Sequence, residues 1–314
     1  MRNSSVDGRP YQPQPVPWGG VVARFLASTT TRRVVPTELA LAGTDLFYKA
    51  RLRFSNARAT RAVAAMTAVV HGTDRAGEVA TLTPKYVAAW ARGWELTWRT
   101  WELDRIPIRN VERLRKAQAE GRGLMLSKTH MGPLAAWVPV ARMLRPLIVP
   151  AAGGLVEPPV PGHYGYRTEQ SRRVLLDAGV ELVRAEGSSM TLFKTLRRGG
   201  AVLMSMDMPG TARVEFLGKP VDMIGGTAEL VTRADALVLP VALTPLGRRW
   251  EIQIGEPLDP RAYDSPDDLN RELLAVHERW ILAAPEQLGN PILRWTTAGP
   301  DGWYHDPAAE EPGR

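Results

Sequence analysis

One histidine of this chain stands where a short apolar strand ends, a position suited to acid–base chemistry. The apolar run at 124–126 predicts a buried strand, polar residues follow it as far as His130, and a Gly132-Pro133 pair then breaks the chain. In open α/β sheets, ligands bind at the carboxyl ends of the strands. The sequence therefore nominates His130 as a catalytic base; the alternative is a hydrogen-bonded structural histidine.

The same arrangement recurs 77 residues later. The run Ala-Val-Leu-Met-Ser-Met at 201–206 predicts another buried strand, which ends at the ionisable residue Asp207 before Pro209 and Gly210 break the chain. Each of the two predicted strands is thus followed by one titratable side chain at its carboxyl end, where sheets of this kind bind their ligands.

Strands alternate with helices along most of the chain, which predicts an α/β fold. Strands are expected at 106–110, 124–126, 147–151, 180–184, 201–206, 236–243 and 249–254, with a hairpin-like piece at 213–218. Helices are expected at 36–53, 56–70, 83–103, 111–120, 134–143, 167–178, 190–198, 227–234 and 268–283. We divide the chain into a flexible tail (1–17), a helical region (18–105), an α/β region (106–300) and a second flexible tail (301–314).

The predicted helix at 83–103 carries an aromatic face. Thr83 and Pro84 are suited to its N-cap and first helical position. Residues three and four apart lie on one side of a helix, and here that side carries Tyr86, Trp90, Trp94, Trp98 and Trp101. We interpret this face as core; the alternative is a wall of an acyl-chain or ligand groove.

Two other segments bear on ligands and partners. A loop is predicted at 153–166, where Glu157, His163, Tyr164 and Tyr166 are candidates to line a site. An amphipathic helix is predicted at 18–27, which either packs on the body of the protein or meets a membrane or another protein.

Composition limits the partners that fit. The chain of 314 residues has a formal charge of +7 and a pI near 9.9, which favours an acidic partner such as anionic lipid, a nucleotide or a carrier protein. Arg outnumbers Lys, as in a high-GC, actinobacterial-like genome. No nucleic-acid-binding motif is present, so we predict no nucleic-acid partner. Cys is absent, which excludes a thiol nucleophile and thiolate metal ligands.

No run of 18 apolar residues predicts a membrane-spanning helix, and residues 1–17 lack the apolar core of a signal peptide. We therefore expect a cytoplasmic protein that is soluble or at most peripheral to a membrane.

In their order and spacing, three segments resemble the lysophospholipid acyltransferase superfamily, in particular its lipid A biosynthesis and phosphatidylinositol-mannoside acyltransferase branch. Residues 114–133 are similar to its helix, strand and catalytic-histidine loop. Residues 192–207, Leu-Phe-Lys-Thr-Leu-Arg-Arg-Gly-Gly followed by the strand to Asp207, are similar to its helix, glycine turn and acid-ended strand. Residues 214–218, 226–228 and 236–240 resemble its next strands and helix. The resemblance implies a single domain with a central mixed sheet flanked by helices and preceded by N-terminal helices.

The chain departs from the superfamily at one catalytic position. There, an acid five residues after the histidine hydrogen-bonds the imidazole; His130 matches, but Ala135 stands where the acid is expected. Asp207 is our candidate to replace it, with Glu186 and Glu215 as weaker candidates. Two further departures concern the substrate. The membrane-spanning N-terminal segment of many lipid A acyltransferases is missing, and residues 150–167 are unlike the usual substrate-binding stretch of the family. A phospholipid acceptor is therefore not implied.

The resemblance implies an acyltransferase in which His130 deprotonates a hydroxyl or amine that attacks an acyl thioester. The co-substrate would be acyl-coenzyme A or an acyl-carrier protein, with no bound cofactor and no metal. Lys128, Arg167 or Arg172 would bind phosphate or stabilise the oxyanion. Further substrate contacts are expected from Thr129, Gly132, Glu186 and Gly226.

Two alternatives stay open. One is an enzyme of secondary metabolism that uses the same fold for another reaction, such as ring closure by intramolecular displacement on a small or carrier-bound substrate. The other is an inactive member of the fold that serves as a partner subunit. A protein partner is compatible with each hypothesis.

Overall fold

A computed structural model describes residues 29–151, 153–156, 163–293 and 296–297. The predictions for both tails, for the helix at 18–27 and for Glu157 lie outside these residues. The side chains of 163–167 are likewise outside the description.

A seven-stranded mixed sheet forms the centre of the protein, as the α/β pattern predicted. Its order is β1-β9-β8-β2-β5-β3-β4, and every neighbouring pair is parallel except β8–β9. The strands are β1 (Ile108–Arg109), β2 (Leu124–Lys128), β3 (Leu147–Ala151), β4 (Val180–Arg184), β5 (Ala201–Ser205), β8 (Leu237–Leu246) and β9 (Arg249–Ile254). Strand β2 lies in the middle, between β5 and β8, and all five of its residues are buried.

A small antiparallel sheet, β10-β7-β6, accompanies the main sheet. The hairpin expected near 213–218 is the pair β6 (Pro209–Phe216) and β7 (Lys219–Met223), and β10 (Thr296–Thr297) adds to β7. The Lys219 ammonium group at the start of β7 donates to the carbonyls of Ala68 (2.8 Å) and His71 (3.0 Å). A cation at a helix C-terminus is favourable, so this contact fixes the hairpin against the helix that precedes His71.

Helices cover both faces of the main sheet. They are α1 (Thr29–Val34), α2 (Thr37–Arg53), α3 (Asn56–Val70), α4 (Val79–Trp98), α5 (Thr100–Leu103), α6 (Val111–Ala119), α7 (Val138–Met143), α8 (Gly153–Val156), α9 (His163–Asp177), α10 (Ser189–Arg197), α11 (Gly226–Ala234) and α12 (Pro266–Ala283). Helices α5, α6, α7 and α9 pack on one face and α3, α10, α11 and α12 on the other, while α4 contributes to both cores. Side chains alternate along a strand, so Leu124 and Leu126 enter the first core and Met125 the second.

Three predicted elements differ from the structure. The helix expected at 83–103 begins at Val79, so Pro84 lies inside α4 and not at its start, and the helix is interrupted at Arg99. The helix expected at 134–143 begins with a 3₁₀ turn, Leu134–Trp137. The stretch 153–166 is not all loop, because its glycine- and tyrosine-rich ends form α8 and the first turn of α9.

Among the described helices, none combines the length and the apolar character needed to cross a membrane.

Candidate active site

A carboxylate holds His130 by two hydrogen bonds. The Asp207 Oδ1 atom lies 2.7 Å from the ring Nδ1 of His130, and Oδ2 accepts a hydrogen bond from the His130 backbone N–H at 2.8 Å. Asp207 is completely buried, whereas about a quarter (26%) of the His130 side chain is exposed. An ionised carboxylate accepts from Nδ1–H, which orients the ring and assigns the role of proton acceptor to Nε2.

Strand register brings this pair together. Strands β2 and β5 are parallel neighbours, and Lys128 lies directly opposite Ser205. His130 and Asp207 each follow two residues later. The two residues therefore leave the sheet side by side at its carboxyl edge, the edge where ligands bind in sheets of this kind.

The segment after α12 fixes the loop that carries His130. Gly289 N–H donates to the His130 carbonyl and Gly132 N–H donates to the Gln287 carbonyl, both at 2.9 Å, and Met131 forms an antiparallel bridge with Leu288. At Gly132 the backbone has φ +67°, and an added Cβ would come within 3.0 Å of the neighbouring side chains. Glycine is thus required to seat this loop, a role that the sequence did not reveal.

Lys128 places a buried cation close to the histidine. Its side chain is 3% exposed, lines the same cavity as His130, and its ammonium group donates to the Ser205 hydroxyl at 2.8 Å. Thr129, between them, is buried and does not line the cavity, because successive side chains point to opposite sides of an extended chain. Its hydroxyl has no hydrogen-bond partner among the described residues. Sequence reasoning missed Ser205, although its position two residues before Asp207 matches that of Lys128 before His130.

A cavity of about 1390 Å³ opens beside His130. Its walls are mainly apolar, and they include Tyr86, Trp90, Trp94, Pro133, Trp137, Val149, Leu192, Phe193, Met204, Ile224 and Leu230. Pockets for a single small ligand measure about 300–1,000 Å³. This cavity therefore has room for more than one substrate or for a long one.

Tyr86, Trp90 and Trp94 of the predicted aromatic face line this cavity, so that part of the face is a cavity wall and not the core that we predicted. Trp98 and Trp101 are partly buried and do not line the cavity. Trp90 is 37% exposed, and Trp94 is half-buried against it with ring centroids 5.9 Å apart. The core side of α4 consists of smaller residues such as Leu82, Ala88 and Leu96. Helical periodicity predicts an apolar side of α4 whether that side faces the core or the cavity, and only the packing distinguishes the two cases.

The remaining predicted site residues divide into two groups. Glu186 and Gly226 line the cavity. Arg172 does not line it, and its guanidinium lies 3.4 Å from Glu169 on the same helix. Arg167 lies in α9, and its side chain is outside the description. Glu215 is exposed on β6 and does not line the cavity.

Ala135, at the position where an acid was expected, is completely buried in the apolar core, in the 3₁₀ turn that follows Pro133. A carboxylate there would meet neighbours such as Ala136 and Trp137. Charge burial among apolar side chains is costly, so the alanine suits its surroundings.

A second histidine, His277 of α12, lies against strand β2. It is completely buried, and its Nε2 lies 2.9 Å from the Ser127 hydroxyl of β2. Burial lowers the pKa of His277 to about 4, although the nearby Asp207 carboxylate acts in the opposite direction. Sequence reasoning missed this residue, because it lies within an otherwise ordinary amphipathic helix.

We expect His277 to make the fold acid-sensitive. The unfolded chain takes up a proton below the ordinary histidine pKa of 6.5, whereas the folded protein does so only near pH 4. Stability from this group is therefore complete above pH 6.5 and falls, by roughly 3 kcal/mol, as the pH drops to 4. Urea unfolding at pH 7 and pH 4.5 measures it. In His277→Gln, which keeps a partner for Ser127, most of that pH-dependent loss should disappear. An unchanged loss in the variant would show that other groups cause it.

No group of three histidine or acidic side chains within the described ranges is arranged to hold a metal ion.

Comparison with known proteins identifies the family of the chain. The chain is an acyltransferase of the lysophospholipid acyltransferase superfamily. Within that superfamily it belongs to the bacterial lipid A biosynthesis acyltransferases, whose family model matches residues 65–289. Among solved structures it is similar to the 1-acyl-sn-glycerophosphate acyltransferase PlsC from Thermotoga maritima. That match has 13% sequence identity and a TM-score of 0.40, and it covers 79% of this chain and 97% of that one. A search of curated proteins found no significant match.

Proposed function

We propose that the protein transfers an acyl group from a thioester of coenzyme A or of a carrier protein to a hydroxyl or amine, with His130 as general base and Asp207 as its orienting acid. The observation that supports it most is the pair of hydrogen bonds from His130 to the buried Asp207 carboxylate, at the edge of a large apolar cavity. Asp207 thereby takes the role that the superfamily assigns to an acid at position 135.

The proposed step begins when Nε2 of His130 accepts the proton of the acceptor hydroxyl or amine. The acceptor oxygen or nitrogen attacks the thioester carbonyl and forms a tetrahedral oxyanion. The carbon–sulfur bond then breaks, and the proton held on Nε2 passes to the departing sulfur. The products are the acylated acceptor and a free thiol, and the histidine returns to its neutral form.

Lys128 is the group that we propose for the oxyanion. The backbone N–H groups of His130 and Gly132 already donate to Asp207 and Gln287, so they do not serve as oxyanion donors. The Lys128 ammonium lines the cavity and is held by Ser205. A fixed cation in a water-poor site stabilises developing negative charge more than it would in water.

Replacing Lys128 with Met, which has a similar shape and no charge, should lower kcat for acyl transfer by about 10²-fold or more, with a small effect on KM. Steady-state kinetics of thiol release measure both constants. Ser205→Ala is the matched variant: it removes the hydroxyl partner and leaves the ammonium, so its loss should be much smaller. Equal rates for Lys128→Met and the unmodified enzyme would remove Lys128 from the mechanism.

Thiol release provides the decisive test of the function. The protein contains no Cys, so a thiol-reactive dye reports only the thiol liberated from the donor. Palmitoyl-coenzyme A and palmitoyl-carrier protein would each be incubated with a panel of lysophospholipids, amino sugars and amino alcohols. We expect acceptor-dependent thiol release, matched mole for mole by acylated acceptor in mass spectrometry.

The other two hypotheses give different results in the same assay. Conversion of a substrate without thiol release would overturn acyl transfer in favour of another reaction, such as ring closure. Binding of a donor without any turnover across the panel would instead favour an inactive partner subunit.

A further inference from the structure

The wall of the cavity that α4 forms is rich in aromatic rings. Among the described residues, five aromatic side chains besides the catalytic imidazole line the cavity, and three of them, Tyr86, Trp90 and Trp94, belong to this one helix. Ala89 and Gly93 line the cavity beside them. Residues three and four apart are neighbours on a helix surface, so the small residues leave a recess whose sides are aromatic.

The rings of this wall meet edge to face. Tyr48 of α2 contacts Trp90 at a centroid distance of 6.2 Å and an interplanar angle of 70°, and Trp90 contacts Trp94 at 5.9 Å and 75°. Aromatic pairs prefer such geometry at about 4.5–7 Å, because the electron-poor edge of one ring faces the electron-rich face of another. Trp90 is 37% exposed and Trp94 is half-buried. A ring of a ligand in the cavity can therefore join this row in the same geometry.

The aromatic wall adjoins the loop that carries the catalytic histidine. Gly93 packs against Pro133, three residues after His130, so closely that a Cβ at position 93 would lie 3.2 Å from the Cβ of Pro133. Trp94 follows Gly93 directly and lines the same cavity as His130. The rings are thus placed to contact the part of an acyl group that lies nearest its carbonyl carbon.

We propose that the acyl group transferred by this enzyme carries an aromatic ring close to its carbonyl carbon, as in arylalkanoyl and arylalkenoyl thioesters, and that Trp90 and Trp94 bind that ring. The inference rests on the proposed function, because it names the acyl group of the same reaction.

The wall distinguishes a ring from a straight chain for two reasons. A ring placed against the two tryptophans gains edge-to-face contacts in addition to the burial of its apolar surface. A straight alkyl chain gains only the burial, and it loses the rotational freedom of its single bonds when the site orders it. An unselective apolar cavity would instead favour the straight chain, which buries more apolar surface for the same number of carbon atoms.

A comparison of three donors tests the proposal. The acyl groups of 3-phenylpropanoyl-, 3-cyclohexylpropanoyl- and nonanoyl-coenzyme A have equal numbers of carbon atoms and differ only in the ring and its aromaticity. With one soluble acceptor, we expect kcat/KM for thiol release to be about tenfold or more higher for the phenyl donor than for either of the others. An equal or higher value for the nonanoyl donor would overturn the proposal. Equal values for the phenyl and cyclohexyl donors would overturn it too, because ring shape and not aromatic contact would then decide.

Substitutions in the wall test which rings are responsible. Trp94→Leu stays apolar but has no ring, and it should lower the ratio of kcat/KM between the phenyl and nonanoyl donors by about threefold or more. Trp94→Phe keeps a ring and should keep most of the ratio. Trp101→Leu is the matched control, since Trp101 does not line the cavity, and its ratio should equal that of the unmodified enzyme. Both donors are measured on one preparation, so partial unfolding of a variant does not alter the ratio. An unchanged ratio in Trp94→Leu, or an equal fall in Trp101→Leu, would contradict the assignment.

Binding measurements separate this inference from the proposed function. S-(3-phenylpropyl)-coenzyme A and S-nonyl-coenzyme A are thioethers that cannot transfer their chains, so calorimetry measures their Kd without turnover. We expect the phenylpropyl compound to bind about tenfold or more tightly than the nonyl compound. A protein that shows this preference but transfers no acyl group would contradict the proposed function and support the aromatic site. Acyl transfer without any preference for the ring would support the function and overturn the aromatic site.

Discussion

His130→Ala should reduce kcat for thiol release by about 10⁴-fold, the upper end of what a positioned general base contributes. The imidazole lines the cavity and its Nδ1 lies 2.7 Å from the Asp207 carboxylate, so this substitution removes the proposed acceptor of the proton. Discontinuous or continuous assays of thiol release, at a saturating concentration of the acyl donor, measure the decrease in kcat. KM for the donor should change little, because the ring acts on the acceptor proton.

Folding must be checked in the same variant, since His130→Ala removes the ring partner of the buried Asp207 carboxylate and keeps the backbone N–H of residue 130. His130→Gln keeps a polar group of similar size, and it should be as inactive as His130→Ala while melting close to the unmodified protein. Substantial turnover in a folded His130→Gln variant would exclude the histidine-base mechanism.

Asp207→Asn should reduce kcat by about 10³-fold. The amide that replaces the carboxylate has one oxygen, which the His130 backbone N–H already occupies in the present geometry, and its NH₂ group would face Nδ1. That arrangement favours the tautomer with the proton on Nε2, which cannot act as a base. Rates of thiol release between pH 6 and 9 measure the loss.

Glu186→Gln is the matched control for Asp207→Asn, because Glu186 also lines the cavity but lies in the exposed turn after β4; we expect less than about a threefold effect. The double variant His130→Ala with Asp207→Asn should be no slower than His130→Ala alone, since residues that act as a unit are not additive. Additive losses would mean that Asp207 acts independently of the histidine.

Several features of the site are encoded locally and could be predicted from the sequence. The apolar run at 124–126 and the largely apolar run at 201–206, each followed by polar or ionisable side chains, predict β2 and β5 and with them the positions of His130 and Asp207 at strand ends. The helices at 36–53 and 56–70 match α2 and α3 almost residue for residue. Hydrophobic periodicity is a property of neighbouring residues, so such elements need no knowledge of the fold.

Other features depended on which elements become neighbours. The sequence left Asp207, Glu186 and Glu215 as candidate partners for His130. The parallel register of β2 with β5 places Asp207, and not the two glutamates, in contact with His130. That hydrogen bond joins residues 77 positions apart. Local pattern does not contain such pairings, because they depend on the order of strands in the sheet.

The sequence by itself thus determined the fold class, the strand ends and the nomination of His130 and Asp207. Only the tertiary structure decided that part of the aromatic side of α4 is a cavity wall, that Lys128 is held by Ser205, and that the segment after α12 fixes the histidine loop. The physical reason is that a periodic pattern defines which side of an element is apolar, whereas packing decides whether that side meets the core, a cavity or solvent.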